Sequence, residues 1–475
     1  MKHKKMIVAF ITVVFTCLQL FSIETGASAQ TQSEGQSPKG VSFGDVDCSG
    51  VVNIEDVTFL QRLLADFEWK YPFAISDQML VKIGDSNGNG KIDITDVTLI
   101  QNYLAGFSNT AEKFRGCAFS WSEVQQCIEV AAPRDVIEEE IVFSAVKPQV
   151  SAYLSKTEYN ADNYKTSSVA EYCTENYLGI PVGYGIPLPE NAKQILLYDV
   201  ADQTGQSYTV SDKSEFCVQN LVPNRSYRYT LFDKNNNITC LGSIRANDSL
   251  RMIAALSCDN VRDLGGWSCD GGTVKYGKIF RGSKFAGAGG VTITETDITT
   301  MRDILGIRTE IDFQLPDEGG VQAGSPLGEA TEYVPLPTNG YYTNMVDISK
   351  NTSIIKSALQ KTFESVKNGS PVYFHCYYGA DRTGTLAFVL ENLLGVSSSD
   401  IDKDYELTCF SGIMKKRNGK EYKKMVTYFK GFQKNNMRDN VVQWALQLGI
   451  TLEDINAFRA SMIDGNPQVL TQQMF

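Results

Sequence analysis

The chain has 475 residues, which is too long for one ordinary domain, so we expect about two to four domains. Hydrophobic residues make up 43% and charged residues 21%, a balance that excludes a wholly disordered chain. The net charge of −11 argues against a nucleic-acid binder held by bulk positive charge. With only two histidines, His3 and His375, a histidine-rich metal site is excluded as well.

Residues 1–29 have the features of a secretory signal peptide. Three lysines near the start precede an apolar run at residues 6–21, and small residues at 27–29 offer a cleavage site. The alternative is a membrane anchor, but the run falls short of the roughly 20 residues that a span needs. We therefore expect a secreted protein, extracellular or at the cell surface, without a membrane span in the mature chain. Residues 30–41 are polar and predict a flexible linker.

Removal of the signal peptide leaves ten of the eleven cysteines. Outside the cell, an even number of cysteines suggests disulfides. Three pairs lie close together in the sequence: Cys117/Cys127, Cys217/Cys240 and Cys258/Cys269. Spacing alone leaves the connectivity open, and Cys376 must stay free for the chemistry described below.

Residues 44–67 and 84–107 form an internal repeat with a period of 40 residues. Both copies read G-D-x-[DN]-x-[SN]-G-x-[VI]-[ND]-I-x-D-V-T and continue into an amphipathic helix. Oxygen ligands at positions 1, 3, 5, 9 and 12, a backbone carbonyl at position 7 and a glycine at position 6 surround a hard cation such as Ca²⁺. The candidate ligands are Asp45, Asp47, Ser49, Val51, Asn53 and Asp56 in the first copy, and Asp85, Asn87, Asn89, Lys91, Asp93 and Asp96 in the second. A solvated acidic turn is the alternative, but matched ligands in both copies favour two structural calcium ions.

The duplicated half-motif resembles a type I dockerin module and covers residues 42–108. Asp at position 12 and the lack of an obvious helix before the first loop are typical of dockerins. The resemblance implies a small all-α fold that docks into a cohesin domain of a scaffoldin, within a cellulosome-like complex for polysaccharide catabolism. Ile54-Glu55 and Ile94-Thr95 lie where dockerins vary to choose their partners.

Residues 109–135 read as a second linker with a short helix near 121–130, and residues 136–250 change character. Short alternating runs, such as 194–199 and 226–232, are separated by clusters of turn residues and predict strands. Leu221-x-Pro223-x-x-x-Tyr227 resembles the tyrosine corner of a Greek-key sandwich, and Tyr227, Tyr229 and Leu231 would share one strand face. We expect a fibronectin-III-like or Ig-like β-sandwich that acts as a spacer or substrate-side module, with carbohydrate binding as the alternative.

Residues 372–384 read VYFHCYYGADRTG and predict a strand, a tight loop and a helix. Inward-pointing backbone N–H groups and the helix dipole would bind a phosphate. Arg382 would bridge two phosphoryl oxygens and favour the Cys376 thiolate. Thr383 either donates to that thiolate or is a plain helix-start hydroxyl, and His375 orders the loop or is a core histidine. The predicted phosphate-binding residues are Tyr377, Tyr378, Gly379, Ala380, Asp381 and Arg382.

This loop resembles that of the Cys-based protein tyrosine/dual-specificity phosphatases. The motifs of the bacterial tyrosine phosphatases, NxRDLGG…GxxxRS…IDLR…HCxAGKDRTG, occur here in the same order, the first three at residues 260–266, 276–283 and 307–313. The resemblance therefore covers about residues 251–475, and it implies an α/β domain. Two departures, Ala380 for the loop Lys and Gln314 for the Arg, remove positive charge. They favour a singly phosphorylated protein or small phosphomonoester, for instance phosphotyrosine, over inositol polyphosphates.

The resemblance implies a cysteinyl-phosphate intermediate and no metal for catalysis. An Asp would protonate the leaving oxygen and then activate water. Asp312 is the first choice from its family position and Asp381 the second, while Asp317 and Asp263 are weaker candidates. Asp263 would be structural, pairing with Arg262 or a backbone turn, and Arg281 a core ion-pair partner.

Four other functions stay open. They are a phosphate-binding module without turnover, a phytase or phosphoinositide phosphatase, a cellulosome structural protein, and the carbohydrate hydrolase that is the default for a dockerin-bearing chain. No stretch of the sequence indicates the paired carboxylates of the last of these.

Overall fold

The computed structural model describes residues 40–48, 52–65, 77–107, 113–156, 169–176, 178–255, 257–285 and 293–474. The predicted signal peptide, most of the first linker, and Ser49 and Val51 lie outside the described residues. Within these ranges, no helix is long and apolar enough to cross a membrane.

The N-terminal helical unit (residues 40–120) is built from the sequence repeat. Its elements are β1 (Gly40–Ser42), α1 (Ile54–Leu64), α2 (Asp77–Gly84), α3 (Ile94–Leu104) and β2 (Cys117–Ser120). Helices α1 and α3 start in the same way, because Asn53 and Asp93 each form a capping box with the aspartate three residues later. Strands β1 and β2 pair antiparallel and close the two ends of the unit.

Helix α4 (Trp121–Ala131) connects the helical unit to the middle of the chain. Its residues Trp121, Val124 and Ile128 share one hydrophobic core with the helical unit and with Leu196 and Phe232 of the following sheet. The helix predicted near 121–130 is therefore present. The surrounding segment is packed rather than extended in solvent, because its apolar face is covered on both sides.

The middle domain (residues 137–250) contains two sheets over a common core. Its elements are β3 (Ile137–Phe143), α5 (Pro148–Leu154), β4 (Tyr184–Pro187), β5 (Ala192–Asp199), β6 (Thr204–Thr209), β7 (Glu215–Val218), β8 (Tyr227–Asp233) and β9 (Ile238–Ala246). The described strands form one sheet in the order β3-β9-β8-β5-β6 and another from β4 and β7. Tyr227, Tyr229 and Leu231 lie in the shared core, and the Tyr227 hydroxyl accepts a hydrogen bond from the Val222 amide at 3.1 Å, as the predicted corner requires.

The C-terminal domain has a mostly parallel sheet flanked by helices. The strands are β10 (Arg262–Asp263), β11 (Ser268–Cys269), β12 (Gly272–Val274), β13 (Ile279–Ser283), β14 (Thr309–Asp312), β15 (Glu332–Pro335), β16 (Val372–Cys376) and β17 (Ile463–Gly465). The helices are α6 (Glu295–Ile298), α7 (Thr343–Val346), α8 (Ser353–Lys367), α9 (Asp381–Leu394), α10 (Ser398–Leu407), α11 (Lys420–Lys430), α12 (Met437–Gln447) and α13 (Leu452–Met462).

In the described part of this domain the main sheet runs β10-β13-β16-β14-β15. Strand β16 pairs in parallel with β13 and β14, and all five of its residues are buried, which explains its continuous apolar sequence. Since parallel strands end at one edge of the sheet, Cys376 lies at the edge where ligands bind in open α/β folds.

The cysteine pairs suggested by spacing do not form disulfides. All ten cysteines from Cys48 to Cys409 that the structure describes are free. Cys217 is exposed on β7, whereas Cys240 is buried on β9 of the opposite sheet. Cys127 contacts the Met79 sulfur at 3.6 Å, not Cys117, so short sequence spacing did not bring these thiols together.

Candidate active site

The loop between β16 and α9 forms the floor of a pocket of about 180 Å³. Its lining residues are Leu315, Glu318, Asn339, Tyr341, Cys376, Tyr378, Asp381 and Arg382. Gly379 has φ +66°, and an added Cβ there would lie 2.3 Å from the Gly282 backbone, so only glycine fits this turn. Ala380 is buried and leaves Arg382 as the cation within the loop. The structure thus brings Cys376 and Arg382 together as the sequence predicted.

Arg382 is held in a fixed orientation. Its Nη1 donates to the carbonyls of Phe313 at 2.9 Å and Thr338 at 3.1 Å, and Nη1 and Nη2 donate to the Glu318 carboxylate at 2.7 and 2.9 Å. Burial alone would lower the pKa of Arg382, but Glu318 and Cys376 outweigh it and raise the pKa above its ordinary value. Conversely, the guanidinium holds the pKa of Glu318 below its usual range despite partial burial. The pocket therefore has a permanent cation facing the Cys376 sulfur.

Buried side chains support the loop from below. The Gly379 carbonyl accepts hydrogen bonds from Asn260 Nδ2 at 3.0 Å and from Arg281 Nη2 at 3.1 Å. Arg281 and Arg262 both pair with the buried Asp404, at 2.5 and 2.7 Å. Arg281 is thus a core ion-pair partner, as predicted. It also supports the loop between β16 and α9, the predicted phosphate loop, through its hydrogen bond to the Gly379 carbonyl.

Asp263 has the predicted structural role, through the backbone-turn alternative and Arg251 rather than through Arg262. Its carboxylate pairs with Arg251 at 3.2 Å and accepts from the amides of Gly265 and Gly277. Burial outweighs these contacts and raises the pKa of Asp263 above its ordinary value. Asp317 is exposed and does not line the pocket.

His375 lies within the sheet and orders the strand ends. Its Nε2 is 2.9 Å from Glu310 Oε1, and its Nδ1 is 3.6 Å from Asp312 Oδ1. Burial by itself disfavours the imidazolium, but the Asp312 and Glu310 carboxylates outweigh it, so the pKa of His375 lies above its ordinary value. Both contacts are with residues of β14 rather than with the loop after Cys376, so the placement fits the core-histidine alternative.

Asp312 and Asp381 differ in their access to the pocket. Asp312 is buried, and its two oxygens accept from the Gln314 amide and the Tyr333 hydroxyl, both at 2.8 Å. Asp381 lines the pocket, where it accepts from the Tyr342 hydroxyl and pairs with Lys415. Asp381 therefore lines the pocket and Asp312 does not, which favours the second of the two predicted acids; the identity of the acid stays a prediction.

Gln314 and Thr383, two further residues considered in the sequence analysis, are both buried. Gln314, at the position where the family has Arg, is buried and donates to the Glu318 carbonyl at 2.6 Å, so it shapes the loop that carries Glu318. The buried Thr383 hydroxyl has no hydrogen-bond partner among the described residues. Its predicted donation to the Cys376 thiolate stays a prediction.

Glu318, Tyr342 and Lys415 were missed by the sequence analysis. They reach the loop from segments 34 to 64 residues away, as the separations of their contacts with Arg382 and Asp381 show. No motif spacing links them to the loop, so only the tertiary structure identifies them.

A match to a protein-family model covers the loop that forms the pocket floor. Residues 253–464 match the model of the tyrosine phosphatase family. The chain carries a Cys-based phosphatase domain. No curated protein matches the chain.

Several solved structures are similar to part of this chain. P. aeruginosa TpbA shares 16% identity, with 36% of this chain and 89% of that chain covered and a TM-score of 0.24. The core catalytic domain of the PP-IP phosphatase SIW14 from S. cerevisiae, in complex with citrate, shares 13% identity over 41% of this chain and 96% of that chain, with a TM-score of 0.25. PTPMT1 in complex with PI(5)P shares 11% identity over 36% and 95% of the two chains, with a TM-score of 0.25.

The two loops of the helical unit have the donor chemistry for calcium. In the second loop Asp85 accepts from the amides of Gly88, Asn89 and Gly90, which fixes the turn. Asp96, the last predicted ligand of the same loop, accepts from the amides of Asn87 and Asp93. All of these loop ligands are oxygens, which suits Ca²⁺.

In the first loop, ligand atoms of Asp45, Asp47 and Asp56 lie within 4.8 Å of one another. Burial and the two neighbouring carboxylates raise the pKa of Asp56 to about 9. Asp56 accepts from the amides of Asp47 and Asn53, as Asp96 does in the second loop. Such a convergence of negative charge fits a site for a divalent cation.

Proposed function

We propose that the catalytic domain hydrolyses singly phosphorylated aryl esters, phosphotyrosine in proteins above all. The observation that carries the proposal is the lining of the pocket: among the described residues that line it, Arg382 is the one cation, and Tyr341 and Tyr378 supply aromatic rings. One guanidinium suits one phosphoryl group, and the two aromatic side chains offer apolar contact to a phenyl ring. Ala380 and Gln314 add no further positive charge for a polyphosphorylated substrate.

The proposed mechanism has two steps. The Cys376 thiolate attacks phosphorus in line, the phosphorus–oxygen ester bond breaks, and Asp381 gives its proton to the leaving oxygen. Asp381 then takes a proton from water, whose oxygen attacks the cysteinyl-phosphate and releases inorganic phosphate and the Cys376 thiolate. Arg382 and the loop amides stabilise the equatorial oxygens in both transition states.

A substrate panel tests this proposal. We expect a phosphotyrosine peptide to show a kcat/KM at least tenfold above that of a phosphoserine peptide or of phytate. Cys376→Ser should abolish phosphate release, while Cys217→Ser, an exposed thiol on β7 of the middle domain, serves as the matched control. Comparable turnover of phytate would favour a phytase or phosphoinositide phosphatase, and phosphate binding without release would favour a module without turnover.

We also propose that the helical unit is a dockerin that binds two calcium ions and docks an exported chain into a cohesin of a cellulosome-like complex. The repeat leaves equivalent apolar residues exposed on α1 and α3: Ile54 at 57% and Ile94 at 63%, and Leu64 at 40% and Leu104 at 39%. The two facing sheets of the middle domain support its assignment as a fibronectin-III-like or Ig-like sandwich.

Calorimetry with a purified type I cohesin tests the dockerin proposal. We expect binding in calcium, loss of binding in EDTA, and weaker binding for Ile54→Asp combined with Ile94→Asp. Val130→Asp, at a residue 89% exposed on the neighbouring helix α4, is the matched control. Binding that persists in EDTA would contradict a calcium-dependent module.

A further inference from the structure

Lys415 lies beside the candidate acid. Its Nζ is 2.5 Å from Asp381 Oδ1, and the same carboxylate accepts from the Tyr342 hydroxyl. The Tyr342 hydroxyl oxygen is itself 2.5 Å from the Tyr405 hydroxyl oxygen. Asp381 is therefore oriented by a cation and a hydroxyl that come from outside the phosphate loop.

The backbone of Lys415 is fixed by a buried thiol. The Lys415 amide donates to Cys409 Sγ at 3.2 Å, and the same sulfur donates to the Lys415 carbonyl at 2.9 Å. Cys409 is buried in the turn that follows α10, so the segment carrying Lys415 is attached to the domain core. A lysine held at its backbone loses less freedom when its side chain pairs with Asp381.

A residue of the middle domain completes this anchor. Arg417, two residues after Lys415, is buried and donates to Glu406 through its amide at 2.8 Å and its Nε at 2.9 Å. The Tyr153 hydroxyl donates to Glu406 Oε2 at 2.6 Å and accepts from Arg417 Nη2 at 3.2 Å. Tyr153 lies on α5, outside residues 253–464 that match the phosphatase family, and it is fully buried.

We propose that Lys415 is a positioning residue for Asp381 and that Tyr153 fixes the segment that carries it. This inference rests on the proposed role of Asp381 as the acid. It makes the middle domain part of the catalytic unit rather than a spacer. Truncation before residue 251 would remove Tyr153 and leave the buried Glu406–Arg417 pair without its hydroxyl partner.

Leaving-group dependence tests the inference in the full chain. A defect in proton donation slows esters with poor leaving groups, whereas an activated ester such as p-nitrophenyl phosphate needs little help from an acid. For Lys415→Met we expect kcat/KM to fall about tenfold with a phosphotyrosine peptide and less than about twofold with p-nitrophenyl phosphate. Lys415→Arg should restore most of the loss, and Lys416→Met is the matched control.

Tyr153→Phe extends the test to the middle domain. The ring would keep its contacts with Tyr172 and Phe410, so packing is preserved while the hydroxyl is lost. We expect the same selective loss, about threefold with the peptide on the scale of a modest positioning defect. Tyr172→Phe is the control. An equal loss with both esters for Lys415→Met or Tyr153→Phe would mean general destabilisation and would overturn the inference.

Asp381→Asn separates this inference from the proposed function. If Asp381→Asn shows the leaving-group effect and Lys415→Met does not, the positioning role fails while the function stands. If Asp381→Asn shows none, both the acid assignment and the inference fail. If the wild-type chain hydrolyses neither ester, the proposed function itself fails.

Discussion

The ion pair between Glu318 and Arg382 determines how the pocket presents its guanidinium, and Glu318→Gln tests this directly. Both guanidinium Nη atoms donate to the carboxylate, at 2.7 and 2.9 Å. Glutamine keeps one acceptor oxygen but loses the charge. A hydrogen bond to a charged group contributes about 1.5–3 kcal/mol. The Glu318 side chain is 27% exposed, so solvent screening reduces this to about 1 kcal/mol.

A loss of about 1 kcal/mol in transition-state binding corresponds to a roughly fivefold lower kcat/KM. Steady-state kinetics with a phosphotyrosine peptide measure it, and inhibition by inorganic phosphate should weaken in parallel. Glu329→Gln, an exposed glutamate of the same region, is the matched control. A higher kcat/KM for Glu318→Gln would refute this reasoning, since it would show that Glu318 competes with substrate for Arg382 rather than orienting it.

Three further predictions concern stability. Because carboxylates raise the pKa of His375 above 6.5, their ion pair stabilises the fold below that pH and its contribution is lost as pH rises through the folded-state pKa. Glu310→Gln should therefore flatten the fall in melting temperature as pH rises above the ordinary histidine pKa of about 6.5, and an unchanged slope in calorimetry would contradict this. Asp404→Asn leaves two buried guanidinium groups uncompensated, so the free energy of unfolding measured in urea should fall by about 3–5 kcal/mol. Asp303→Asn at the surface is the control, and a fall below about 1 kcal/mol for Asp404→Asn would contradict the ion network. Calcium at a hundredfold excess over its Kd should raise the unfolding free energy of the helical unit by about 2.7 kcal/mol, measured as slower proteolysis of this unit in the full chain. Asp85→Ala should lower this gain, and equal protection in EDTA would argue against a bound cation.

The sequence was most informative where the chemistry lies in one continuous segment. The phosphate loop needs Cys376, Gly379 and Arg382 at fixed spacing between a strand and a helix, and the structure places them accordingly. The repeat likewise predicted the equivalent starts of α1 and α3, because each capping box is local.

Features that depend on distant contacts were not predictable. The sequence places Asp312 at a strand end, but only the fold shows that Tyr333 and Gln314 cover it. The contact of Glu318 with Arg382 spans 64 residues. The spacer role expected for the middle domain came from the lack of a motif, while burial of Tyr153 against Glu406 is a tertiary effect.

Trapping of the phosphoenzyme tests the central claim most directly. Acid quench of the full chain during turnover of a phosphotyrosine peptide, followed by peptide mass spectrometry, locates the covalent phosphate. We predict phosphate on Cys376 and none in Cys376→Ser. With p-nitrophenyl phosphate, whose leaving group needs little help from an acid, Asp381→Asn should raise the occupancy because only water activation is slowed. Turnover that proceeds without label on Cys376, or with label on another residue, would contradict the account.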